Sequence, residues 1–102
     1  MSRDPHRALL AALTAYLGPL DNVVARTRDW SSATFTGMLH DLTFTSTAPP
    51  VLIEALADVD LPMQGHFVAD LRIVACQTCN IPTQAQIEVL TIREDVFRGQ
   101  LS

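Results

Sequence analysis

The sequence predicts an α+β fold: two helices packed on one face of a four-stranded, mainly antiparallel sheet, in the order α-β-β-α-β-β. Three observations lead there. Apolar residues recur at spacings of three and four in only two places, near the N-terminus and again after Pro49-Pro50. Most of the remaining chain alternates with a period of two and is rich in Val, Ile, Thr and Phe. Pro, Gly, Asp and Ser mark the boundaries between these stretches. With 102 residues, 48% of them apolar, the chain is sized for one core, so a single domain over 1–102 is expected, with 1–3 and 96–102 frayed.

Asp4-Pro5 opens the first helix, Asp4 as N-cap and Pro5 in the first turn, where its missing amide costs nothing. Leu9, Leu10, Leu13, Tyr16 and Leu17 form its apolar stripe, and Gly18-Pro19 stops it. Leu20 to about Trp30 reads as a strand with one wet face, followed by a turn over Asp29 to Ser32. The Thr- and Phe-rich segment from Ala33 to Thr45 reads as a second strand. Its parity breaks near Gly37, and a bulge there would bring Ala33 and Phe35 onto the side of Met38, His40, Leu42 and Phe44.

Ser46 to Pro50 starts a second helix, with Val51, Leu52, Leu56 and Val59 as its apolar face. His66 to Cys76 alternates without a break. It predicts a strand with Phe67, Ala69, Leu71, Ile73 and Ala75 on one face and His66, Val68, Asp70, Arg72, Val74 and Cys76 on the other. Gln84 to Arg93 is the last strand, with Ile87 and Val89 opposed to Leu90 and Ile92. The two halves share an element order but little identity, so they are read as similar architecture rather than as a repeat.

The net charge of −4 argues against a nucleic-acid binder, which needs a basic stripe. All seven basic residues are Arg, a pattern that coding bias accounts for. No run reaches the ~20 apolar residues of a membrane helix. The stretch after Arg3 and Arg7 lacks a small-x-small cleavage site, so it is assigned to the fold and a cytoplasmic location is expected.

Cys76-Gln77-Thr78-Cys79 has the spacing of a redox dithiol or of half a zinc site. It falls at the end of a strand with no helix dipole to lower a thiol pKa, and no second such pair exists in the chain, so inert thiols are the plainest reading. His40, His66 and Asp70 are the other chemistry-bearing groups. His66 and Asp70 lie four residues apart, about 13 Å along a strand, too far for a direct pair. Arg26, Arg28 and Trp30 share one parity and form a cationic and aromatic strip suited to an anion or a base.

The segment Arg28-Asp29-Trp30-Ser31-Ser32-Ala33-Thr34-Phe35-Thr36-Gly37 and the segment Gly65-His66-Phe67-Val68-Ala69-Asp70 resemble stretches of small uncharacterised bacterial proteins of about this length. The resemblance implies a bacterial protein and carries no activity over to this chain. A basic residue tends to precede the histidine after the glycine in those proteins. Here Leu39 precedes His40 and Asp41 follows it, which leaves less positive charge for an anion site.

Two helices cover only one face of such a sheet, and the other is expected to be half apolar. The leading expectation is therefore a non-enzymatic accessory or interaction domain that homodimerises through its uncovered sheet face, with no cofactor and no nucleic-acid or membrane partner. One alternative is a small-ligand-binding protein or minor enzyme with Arg28, Trp30, His40, His66 and Asp70 on that open face. The other is a thiol-redox or metal site at Cys76 and Cys79.

Overall fold

A computed structural model describes residues 4–63, 65–77 and 82–93. The tails expected to fray at 1–3 and 96–102 lie outside these residues, as does Cys79. The elements are α1 (Pro5–Leu17), β1 (Leu20–Ser31), β2 (Thr36–Ser46), the short α2 (Pro50–Glu54) continued by a 3-10 turn (Ala55–Asp58), β3 (His66–Cys76) and β4 (Thr83–Arg93). The strands form one sheet in the order β1-β2-β4-β3, every neighbouring pair antiparallel. The fold is the α+β class the sequence predicts.

Local chemistry sets the ends of α1. The Asp4 carboxylate accepts from the His6 amide at 3.0 Å, Pro5 fills the first turn, and Gly18 closes the helix at φ 88° with its amide on the Thr14 carbonyl. Leu9, Leu13 and Leu17 then descend onto the sheet. They meet Leu42 and Phe44 of β2, Ile87 and Val89 of β4, Leu71 of β3, and Ile53 and Leu56 from the second helical segment. This is the single described core cluster, and it lies on one side of the sheet, called inward below.

Three corrections concern strand register. Gly37 carries no bulge: it pairs in register with Trp30 on one side and Ile92 on the other. The parity break instead marks the end of a hairpin loop at 32–35, where the Ser32 hydroxyl accepts from the Phe35 amide at 3.1 Å and the Ser32 amide donates to the Phe35 carbonyl at 2.8 Å. Ala33 and Phe35 are thus loop residues. The turn also sits three residues later than expected, because β1 runs on to Ser31.

The second correction is in β1, where the register shifts between Asp21 and Val24. Asn22 takes φ 53° there, a left-handed conformation that Asn tolerates better than most residues.

The third is in β3, which shifts register twice, between Val68 and Asp70 and between Ile73 and Ala75. Each extra residue reverses the parity. The inward residues are therefore His66, Val68, Leu71, Ile73 and Cys76, opposite Arg93, Thr91, Val89, Ile87 and Ala85. The outward ones are Phe67, Asp70, Arg72 and Ala75. Val68, expected on the open face, packs against the core instead.

Candidate functional site

The register divides the expected site residues between the two faces of the sheet. Arg28 and Trp30 pair with Leu39 and Gly37, and Asp70 with Leu90, all outward. His40 pairs with Val89 and His66 with Arg93, both inward and both buried. The five residues thus do not share one surface.

No described helix covers the outward face, and the pairings arrange it in rows across the four strands. One row reads Trp30, Gly37, Ile92, Phe67. The next reads Arg28, Leu39, Leu90, Asp70, and the third Arg26, Asp41, Glu88, Arg72. The end nearest the β1–β2 loop is therefore apolar and the middle is charged. Gly37 is required in the first row: a Cβ there would stand 2.1 Å from the Thr91 carbonyl oxygen and 3.0 Å from Ile92 Cδ1. The bare backbone lets Trp30 and Ile92 flank Gly37. Ile92 is 3% exposed although it stands outside the main core cluster. Phe67 beside it is 38% exposed.

The charged row carries plus, minus, minus, plus. Arg72 and Glu88 form a cross-strand ion pair, and the Gln86 amide donates to the Asp41 carboxylate at 3.2 Å. A groove of about 420 Å³ runs over Arg26, Arg28, Leu39, Asp41 and Glu88.

The inward face holds a different cluster at the N-terminal end of α1. His40 is 1% exposed, and its Nε2 lies 3.0 Å from the Thr91 hydroxyl, which donates to the Met38 carbonyl at 3.4 Å. With the hydroxyl proton given to Met38, we assign Nε2–H as the donor, and His40 Nδ1 carries the lone pair. The His6 ring stacks on His40 with centroids 5.7 Å apart and planes 13° from parallel. Nδ1 of each ring is buried without a hydrogen-bond partner among the described residues. Burial pushes the His40 pKa down to about 4; His6 and His66 add to the fall and Asp4 opposes it. Next to this pair a cavity of about 340 Å³ is lined by Pro5, Asp29, Met38, His66, Thr91 and Arg93, among others.

Sequence reasoning missed His6, although its spacing placed it. His6 falls three, four and seven residues before Leu9, Leu10 and Leu13, so it belongs to the stripe that faces the sheet. It missed Phe67 as an outward residue because the β3 bulges are invisible in the alternation.

Cys76 faces inward and packs against the core. Burial raises its thiol pKa, and the Glu54 carboxylate raises it further, so its thiolate is less available than that of a free cysteine. Among the described residues no group of three or more His, Cys, Asp or Glu side chains could hold a metal ion. No described helix is long and apolar enough to cross a membrane. Comparison with protein-family models, with curated proteins and with solved structures finds no match to this chain.

Proposed function

We propose that this protein is a non-enzymatic interaction domain that pairs with a second copy of itself through the outward sheet face. The observation that carries this reading is the exposed Phe67 with the half-buried Trp30, Leu39 and Leu90 around the buried Ile92, on a sheet face that no described helix covers. The whole outward face sets the upper limit of the contact. Four strands about 4.8 Å apart, with eleven or twelve residues each rising about 3.4 Å, span roughly 700 Å², close to the ~800 Å² each partner buries in an ordinary interface.

The charged row constrains how two copies meet. With both sheets centred face to face, a two-fold axis along the strands sets Arg26 over Arg72 and Asp41 over Glu88. An axis across the strands sets each residue over its own copy. Both arrangements oppose like charges, so the contact centres on the apolar end.

Trp30 is the only tryptophan and lies in that end, so its emission reports association. Dilution from micromolar to nanomolar is expected to shift the emission to longer wavelength as the indole meets water. An unchanged spectrum over that range counts against the reading.

A second reading has the inward cavity in its favour. Asp29 and Arg93 give its wall both signs of charge beside His66, which suits a small zwitterion of amino-acid size. Titration calorimetry with free amino acids, on the wild type and on Asp29→Asn, tests it. No heat from any of them removes it.

A further inference from the structure

We propose that the stacked imidazoles of His6 and His40 are a proton-operated latch, and that placing charge on the pair releases the first turn of α1 from the sheet while the rest of the helix stays docked. The geometry gives the latch two parts. His40 is fixed in β2 by its bond to Thr91 and is buried from solvent. His6 is in the first turn of α1 and lies parallel to it at 5.7 Å. Neutral rings can stack this way. Two imidazolium rings at that separation repel, and a newly protonated Nδ1 on His40 has no acceptor in place.

Among the described residues the surrounding charges are few. Asp4, on the same turn, is the carboxylate that favours a charged His40, but its side chain also caps the helix through the His6 amide. His66 at the head of β3 opposes the charge. Asp29 on β1 and Arg93 on β4 line the cavity alongside. Further down α1 the buried attachment runs through Leu9, Leu13 and Leu17, which carry no titratable group. Release of the first turn therefore widens the 340 Å³ cleft, to whose wall Pro5 contributes, without unfolding the core.

The size of the effect follows from linkage. His40 titrates near 4 when docked against 6.5 when free, so opening is favoured by up to tenfold per pH unit across that window, roughly 100-fold between pH 7 and pH 4. Hydrogen exchange on the full chain reads this directly once rates are corrected for the intrinsic pH dependence. The Ala8 and Leu9 amides should lose protection by about two orders of magnitude relative to Leu13, Leu17 and the β2 amides. In His40→Phe, which keeps the ring and removes the proton, the loss should vanish. His6→Phe, at the more exposed position, should reduce it even if the buried variant fails to fold. Unchanged protection at Ala8, loss of equal size at Leu13 and Leu17, or acid release of undiminished size in the folded variants overturns the latch.

Discussion

At the scale of single residues, the chain shows how much one side chain decides when its surroundings are already fixed. Asp4 was readable from sequence, because the N-cap chemistry is local: a carboxylate one residue before Pro5 has an orphan amide within reach. Asp4→Ala is expected to cost about 1 kcal/mol in denaturant unfolding. Gly37 was noticed for a different reason than the one that requires it. The parity change suggested a bulge, whereas the requirement is the Thr91 carbonyl of a strand that is distant in sequence. Gly37→Ala is expected to destabilise by about 1–3 kcal/mol, since backbone must move to admit the methyl. His40 gives the pH dependence. Its folded pKa lies below its unfolded value, so the unfolded chain holds more protons between pH 4 and 6.5, and stability falls as pH drops through that window. After allowance for solvent screening the loss is about 1–3 kcal/mol. Urea melts at pH 7 and pH 4, with His40→Phe as reference, measure it; a wild type and variant that lose stability equally would assign the acid sensitivity elsewhere.

At the scale of elements, the periodicity of α1 and the faces of β2 and β4 were legible, whereas α2 and β3 were not: Val51, expected on the apolar face of α2, is 66% exposed, and Ile53 is buried in its place. The stripe of α1 depends only on its own spacing, and Leu9, Leu13 and Leu17 are buried as read. The faces of β3 depend on its pairing with β4, and two extra residues reverse its parity without leaving a mark in the alternation. The same bulges blunt β3 as an edge. The other edge is less protected: β1 is exposed over 21–29, with Val24 at 62% exposure in the outward column above Arg26. Val24→Lys is therefore expected to change stability by less than about 0.5 kcal/mol and to reduce aggregation on heating, as read by turbidity. Arg72 and Glu88 form an exposed cross-strand pair, and Glu88→Gln should cost under about 1 kcal/mol.

At the scale of the whole molecule, the architecture matches its sequence reading: helices on one side, an open face on the other. The expectation that this face is half apolar survives, but its composition changes. The patch lies with Trp30, Ile92 and Phe67 rather than with Val68, and the histidines expected there are buried on the opposite side. Strand order was the missing information, since only the β1-β2-β4-β3 arrangement aligns these residues in one row. If the row is a self-association surface, Phe67→Asp should separate the copies while leaving the melting temperature of the monomer within a few degrees, because Phe67 is 38% exposed and lies on the side away from the core. The most direct measurement is the solution mass by light scattering at micromolar concentration. The wild type should give twice the chain mass of 11.2 kDa and Phe67→Asp the chain mass itself. A wild type that remains at 11.2 kDa across the concentration range would contradict the proposal.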